Sequence, residues 1–360
     1  MPAPGLPAIV LAAVTVSLLA ACPAGALPVP AESLRTVVVT IDGIRKSEFV
    51  TWNERLLSWI DSTGVYLPLV VNATRGITEP NHAILWGSGD PGQCLNMEGH
   101  PAEPMHFELL RRQRGLPITA TAVVTGKQHL ADATIHSCHP DYGRPYRTTM
   151  ICATSGGPAC LGDQTLMQGP DSLVMQAALA HLAAHDVAWM GINLSEYDFI
   201  CHDIGLVCCQ GDTACYWRRA EDVYREAERL VLDELWPFLG THPRYAGRTL
   251  LIVTTDHGRH DDGVLDGFTG HGHGWLPDST GCAPTCPGCA EIWAMFAGPG
   301  IHIGYEAAGT YTLEDIASTT EFMMSFGNPF QTGVPIAEAM EEGIASGMPA
   351  ARRRHAMYLE

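Results

Sequence analysis

Five segments constrain this chain more than any other feature. They are RTVVVTID (35–42), ITATAVVTG (118–126), DVAWMGINL (186–194), RTLLIVTTD (248–256) and AEIWAMFAG (290–298). Each is a short, nearly continuous apolar run rich in β-branched residues, with no alternating polar face. A strand solvated on one side alternates, whereas a strand covered on both sides does not, so these runs predict buried strands of a parallel sheet. Helical patterns lie between them. DSLVMQAALAHLAAH (171–185) opens on an Asp-Ser start signal. From Thr213 to Leu235, Ala220, Val223, Tyr224, Ala227, Leu230, Val231 and Leu235 form one stripe, with RRAED and REAER facing water. Strands alternating with helices predict an α/β fold, a three-layer α/β/α sandwich around a mostly parallel sheet. With 46% hydrophobic residues among 360, the chain has material for a large core. No repeat or Pro/Gly/Ser-rich linker divides it, so residues 30–345 are expected to form one folded domain and 346–360 a tail.

The first 26 residues contain an apolar stretch from Ala8 to Ala21, too short for a membrane span of about 20 residues and suited to an export signal. LAAC, ending at Cys22, has the form of a lipoprotein signal, and AGA at 24–26 offers an ordinary cleavage site; no Lys or Arg precedes the apolar run. The expectation is export to the periplasm or cell surface, with a lipid anchor at Cys22. Twelve cysteines fit an oxidising compartment. Without Cys22 their number is odd, which leaves at least one unpaired within the chain. Cys282, Cys286 and Cys289 have partial zinc-knuckle spacing, but the surrounding Pro and Gly favour a loop clamped by disulfides. A net charge of −18 argues against nucleic-acid duplex binding, because an acidic surface repels a phosphate backbone. Small anionic substrates remain open where bound cations supply local positive charge.

Ligands of open α/β sheets gather beyond the carboxyl ends of the strands. Asp42 ends the first run, Asp256 and His257 end the fourth, and Asp198 and His202 follow the third. Taken singly, each has an ordinary reading: Asp42-Gly43 is a strong turn signal. Asp198 and His202, four apart, share one face of a helical turn. His271 and His273 stand in a Gly-rich loop with no core to bury them. Together they make an oxygen/nitrogen ligand set that suits Zn²⁺ or a similar divalent ion, with enough ligands for two. Two cations about 4 Å apart clamp the attacking and leaving oxygens of an in-line displacement. Such a site needs a nucleophile. Thr78, in TRGITEPNHAILWGSG, caps a helix on the bland reading and is that nucleophile on the sharp one, its hydroxyl activated by a metal.

In order, VVVTIDGIR, TEPNHAILWGSG, EYDFICH, TTDHG and a late HG resemble motifs of the alkaline phosphatase superfamily and, within it, its nucleotide pyrophosphatase/phosphodiesterase branch; TLEDIASTTEFMMSFG is similar to a helix that closes many members. The resemblance implies that Asp42, Thr78, Asp256 and His257 surround one metal. It implies that Asp198, His202 and either His271 or His273, His271 being favoured, surround the other. Asn96 stands near the place of an Asn that donates to a nonbridging substrate oxygen. The chain departs from the family pattern at Tyr197, where relatives have Pro, and at Cys201, where they have Gly. Thr78-Glu-Pro-Asn lacks the Cys and the Arg of a formylglycine sulfatase.

The activity expected is hydrolysis of phosphoric esters through a Thr78 nucleophile and two divalent ions, with diester or pyrophosphate bonds favoured by the resemblance and monoesters as the alternative. A monoesterase needs an extra cationic group, for which Arg45, Arg75 and Lys127 are candidates; GKQHLAD (126–132) reads equally well as a helix. Two further readings are a metal-binding lipoprotein without turnover, which has no need of Thr78, and a phosphomutase, against which export weighs.

Overall fold

A computed structural model describes residues 27, 29–72, 76–91, 99–154, 169–202, 207–260, 270–271 and 286–347. Nine strands form one sheet in the order β4-β3-β5-β1-β6-β7-β2-β8, with β9 also on β2. The five on one side, β4 (Thr149–Cys152), β3 (Thr121–Thr125), β5 (Trp189–Leu194), β1 (Arg35–Ile41) and β6 (Thr249–Thr254), are parallel throughout. Their starts are in step: Arg35 pairs Thr249, Thr36 pairs Trp189, and Thr121 pairs Trp189. All five therefore end on one edge. β7 (Glu291–Ala297), read above in the same style as the parallel runs, is antiparallel to both β6 and β2 (Gly64–Val71). β8 (Tyr305–Glu306) and β9 (Tyr311–Thr312) each add a short parallel pairing to β2.

Alternation across the pleat divides the core in two. Val38, Val123, Leu250, Ile252, Ile292 and Phe296 pack on one face with Ala83 and Leu85 of the Thr78–Leu85 helix, Leu109 of His106–Arg114 and Ile316 of Leu313–Met324. Val37, Val39, Ile41, Val124, Ile192 and Val253 pack on the other against Phe49, Ile60, Val174, Leu182, Tyr224 and Ala227. Burying each such aliphatic side chain stabilises the fold by about 1.5–3 kcal/mol, and both faces of the sheet are covered, as continuous apolar runs require.

The helical stripe between Thr213 and Leu235 is observed, with Asp212 capping the amide groups of Ala214 and Cys215. After Arg229 the helix widens into a π turn, Leu230–Leu235, and Trp236–Thr241 continues it. The 171–185 pattern is the helix Asp171–Ala184, capped not by Asp171 but preceded by Pro170. GKQHLAD forms the start of the helix Gln128–Thr134, with Lys127 just before it. Cys209 and Cys215 form a disulfide. Cys286 holds the cap position of the one-turn helix Pro287–Ala290 and Cys289 lies within it, and the rest of the expected Cys282–Cys286–Cys289 loop lies outside the described residues. No described helix is long and apolar enough to cross a membrane. Residues 1–26, most of the 346–360 tail, Arg75, Asn96, His273 and Cys282 lie outside the described residues.

Candidate metal centre

Because four neighbouring parallel strands finish on one edge, the residues that follow them meet. Asp42 follows β1, Lys127 follows β3, Asp198 lies in the Glu196–Cys201 helix after β5, and Asp256 and His257 follow β6. Across from them Thr78 is the first residue of its helix; Ile77 holds the cap position and Thr78 makes no cap hydrogen bond. Its hydroxyl instead points into the cluster, 3.0 Å from Lys127 Nζ and 3.2 Å from His257 Nε2.

Lys127, 2% exposed, is the hub. Its ammonium donates to Asp198 Oδ2 at 2.7 Å and to Asp42 Oδ1 at 3.0 Å. Burial works against its charge, but Asp198 and then Asp42 hold its pKa above the ordinary value. Burial opposes the Asp198 carboxylate, yet Lys127 and His202 hold its pKa well below the usual range. Asp256 is also depressed against burial, by His257 and His82. Asp42 goes the other way, raised by burial and by repulsion from Asp256. Two carboxylates thus share one lysine, and the third, Asp256, leans on the imidazoles of His82 and His257.

The histidines are oriented from outside. His257 Nδ1 donates to Gly258 O at 2.8 Å and His271 Nδ1 to Gly76 O at 2.7 Å, which leaves each Nε2 as a lone pair facing inward. Such carbonyl-oriented imidazoles are the usual second support of metal-ligating histidines. His271 Nε2 lies 3.2 Å from His202 Nε2 and 3.6 Å from Asp198 Oδ1. Burial, then repulsion by His257, drives the His271 pKa well below its ordinary value. His202 is raised by Asp198, 3.4 Å away.

Two overlapping groups have the compactness of a metal nest. In Asp42, Asp256 and His257, and again in Asp198, His257 and His271, the ligand atoms lie within 4.8 Å of one another. Asp198 Oδ1 and Asp256 Oδ2 are buried without a hydrogen-bond donor, a costly state for a charged oxygen unless a cation faces it; Asp256 Oδ2 has the His82 imidazole at 3.2 Å, whereas Asp198 Oδ1 has, among the described residues, only His271 Nε2 at 3.6 Å. The residues present therefore fit divalent ions. Gly43 makes the approach possible: at φ +75° its backbone donates to Asp256 Oδ1, and a Cβ there would stand 2.6 Å from Asp198 Oδ1.

The cluster contains residues that sequence reasoning did not assign to it. His82, one helical turn after Thr78, is fully buried with Nδ1 2.9 Å from Thr78 O and 3.2 Å from Asp256 Oδ2. Burial lowers its pKa but the Asp256 charge wins and raises it. Its i, i+4 spacing from Thr78 was the available signal. Asn193, the single amide in an apolar strand, donates to Asp42 Oδ2 at 3.0 Å. His129 pairs with Glu79, the buried neighbour of Thr78. Of the three proposed cationic groups, Lys127 is at the centre, whereas Arg45 turns away to Glu48 and His260 O.

No family model matches the sequence, and no curated protein does. Solved structures do. The alkaline phosphatase PafA aligns with a TM-score of 0.57 at 12% identity, over 87% of this chain and 99% of that one. The chain has the fold of this alkaline phosphatase. A 2-O GAG sulfatase aligns with a TM-score of 0.54 at 12% identity, over 86% of this chain and 74% of its own. Murine ectonucleotide pyrophosphatase/phosphodiesterase 5 aligns over 81% of this chain and 95% of its own at 14% identity, with a TM-score of 0.46.

Proposed function

We propose that the chain is an exported, metal-dependent hydrolase of phosphoric esters whose nucleophile is Thr78 Oγ1. The observation that carries this reading is the surrounding of that oxygen: Lys127 Nζ at 3.0 Å, His257 Nε2 at 3.2 Å, and Asp42 and Asp198 bound to the same lysine. A residue that served only as a helix cap would have no such company. Asp42, Thr78, Asp256 and His257 would hold one divalent ion, for which the mixed oxygen/nitrogen ligand set suits Zn²⁺, and Asp198, His202 and His271 the other. Bound there, such ions supply Lewis acidity that lowers the nucleophile's pKa and neutralises charge on the leaving oxygen. Thr78 Oγ1 forms the new bond to phosphorus, the ester oxygen departs with the bonding pair, and water hydrolyses the resulting phospho-threonine in the second half. Lys127 Nζ would stabilise the Thr78 oxygen as its proton passes to solvent, and its positive charge would attract the phosphoryl group. Gly43 and Asn193 hold Asp256 and Asp42 in position. Asn96 would donate to a nonbridging oxygen of the substrate.

Lys127 also bears on substrate preference. A phosphomonoester brings two negative charges and a diester one, and a buried ammonium beside the nucleophile rewards the second charge. The proposal therefore moves from the diester preference implied by the resemblance to small phosphate monoesters, with diesters as the second class.

The test is a panel of mono-aryl phosphate, bis-aryl phosphate and aryl sulfate with Zn²⁺, Mn²⁺ and Mg²⁺. Thr78→Ala is expected to lower kcat on its best phosphate ester by at least about 10³-fold. Full turnover by that variant, or aryl sulfate outrunning both phosphates, would sink the reading.

A further inference from the structure

The charge of this chain is unevenly distributed. Against a net −18, the edge where the parallel strands begin, opposite the candidate metal centre, carries a concentration of arginines. Arg111, Arg112 and Arg114 end the helix His106–Arg114, and Arg144 and Arg147 flank the turn that leads into β4. Glu32 lies beside Arg114 and Asp141 beside Arg112, and on the same edge Asp186 is taken up by an ion pair with Arg35. Arg112, Arg144 and Arg147 are exposed.

What these arginines bind matters more than their number. Arg112 donates to Asp141 O at 2.9 Å, Arg114 to Glu32 O at 3.2 Å and to Met324 O, and Arg111 to Pro145 O at 3.4 Å and to Arg147 O. Every acceptor is a neutral carbonyl. Carbonyls fix the guanidinium planes in place without cancelling their charge. Elsewhere on the surface the pattern is different: Arg55, Arg225 and Arg229 pair with Asp233, Glu221 and Glu226. None of the five arginines has an ion-pair partner among the described residues. Burial and the neighbouring Arg147 both pull the Arg111 pKa below its ordinary value, as expected for like charges held close.

An apolar groove adjoins this corner. Leu27 and Val29, the first described residues, line it with Phe322, Met323 and Ile344, and the Met324 carbonyl next to it is the acceptor of Arg114. The chain enters the described structure here, a few residues after the apolar Ala8–Ala21 run of the sequence.

We propose that this basic edge is a docking surface for an anionic phospholipid bilayer, with Arg112, Arg144 and Arg147 reaching headgroup phosphates and the metal centre facing away into solution. A flat membrane touches one edge only and avoids the acidic remainder of the surface. A long polyanion such as duplex nucleic acid extends beyond the patch and meets that acidic remainder. Apolar side chains beside basic ones also match the boundary between headgroups and acyl chains better than they match a phosphodiester backbone.

The test uses the full chain and sedimentation with phosphatidylcholine vesicles, with or without 30% phosphatidylglycerol, at low and high salt. Each basic residue at an anionic surface contributes about fivefold to partitioning. The expected result is preferential binding to the anionic vesicles, weakened by salt, and a loss on the order of 100-fold in Arg112→Glu/Arg144→Glu/Arg147→Glu. Residual binding to neutral vesicles reports the N-terminal apolar segment and should be equal in both proteins. A milder Arg112→Gln/Arg147→Gln variant, checked for an unchanged thermal transition, guards against misfolding of the triple reversal. Equal binding to the two vesicle types, an unaffected triple variant, or retention by duplex DNA in preference to anionic vesicles would overturn the proposal.

Discussion

Two buried charged clusters lie near the carboxyl ends of the strands, and they resolve the cost of burial differently. In the first, Glu48 sits between Arg45, at 2.7 Å, and Arg259, at 2.8 Å, and also accepts from the Tyr197 hydroxyl. Arg259 also donates to Tyr216 Oη at 2.7 Å and Cys201 O at 3.1 Å, its Nε being left without an acceptor among the described residues. Both carboxylate oxygens have donors, and cations outnumber the anion. In the second, Asp42 and Asp198 share Lys127 while Asp256 faces His82 and His257, and Asp198 Oδ1 and Asp256 Oδ2 have no hydrogen-bond donor. A cluster whose carboxylate is met at both oxygens is scaffold; a cluster with donorless carboxylate oxygens is prepared to receive positive charge. The departure from family pattern at Tyr197 belongs to the first cluster, where the phenol supplies a hydrogen bond that a proline cannot.

The largest effect that separates the two is expected at Arg259. Arg259→Met strands Glu48 with one cation and removes the donors to Tyr216 and Cys201 O, and breaking a buried pair this way costs about 3–5 kcal/mol. Chemical denaturation measures it. The loss should be the same with and without divalent ions, and a loss that divalent ions repair would mean that the two clusters are one.

Lys127→Met comes next. Without divalent ions it leaves Asp42 and Asp198 uncompensated and should destabilise the chain by about 3 kcal/mol, a deficit that Zn²⁺ should largely offset. On the loaded enzyme the same variant is expected to lose about 10²-fold in kcat/KM on a phosphate monoester, as for one deleted charge-stabilising donor, and less on a diester. Equal losses on both would remove the argument for monoesters.

Binding of divalent ions is the third discriminator. Zn²⁺ at about 100 times its Kd should raise unfolding stability by about 2.7 kcal/mol, measured by calorimetry against a chelated sample. Asp198→Asn and Asp256→Asn should each reduce that increment, while Arg259→Met should leave it intact. A wild-type chain indifferent to Zn²⁺, Mn²⁺ and Mg²⁺ would return the donorless oxygens to the status of unexplained strain.

Much of this contrast is legible in the sequence, and what is not has physical reasons. Apolar runs ending in Asp mark β1 and β6, and Asp198 and His202 announce a shared helical face after β5. Direction is not encoded in such runs, so β7 reads like its parallel neighbours although it is antiparallel. β2 escapes notice because Pro68 lies inside it; the register with β7 shifts between Leu67 and Val70, and a bulge is where a strand tolerates a residue without an amide hydrogen. Lys127 is recognisable as a cation at a strand end, but sequence does not say which strand ends beside which. Only the strand order, with β3 next to β5 and β5 next to β1, brings it between Asp198 and Asp42. The Glu48–Arg259 cluster gives no signal at all, since its members are 211 positions apart in otherwise unremarked segments.

Glu108 supplies a third case that sharpens the rule at smaller amplitude. It is fully buried near no lysine or arginine partner in ion-pair contact, accepting instead from Met105 N at 2.9 Å, Ser137 N at 3.1 Å and Ser137 Oγ at 2.8 Å. Burial outweighs those hydrogen bonds and pushes its pKa up to about 7. Its folded pKa is thus above the unfolded one, and the folded state holds a proton that the unfolded state has released. The resulting stabilisation is complete below about pH 4.5 and is lost as pH rises to about 7. Asp198, with Lys127 as partner, has the opposite sign. Glu108→Gln, which stays neutral, should therefore gain on the wild type across that interval by about 3 kcal/mol. Denaturation midpoints at pH 5 and pH 8 measure the change, and a difference between the two proteins that does not vary with pH would show that Glu108 is already ionised in its pocket, so that hydrogen bonds alone suffice where the comparison of clusters says a cation is needed.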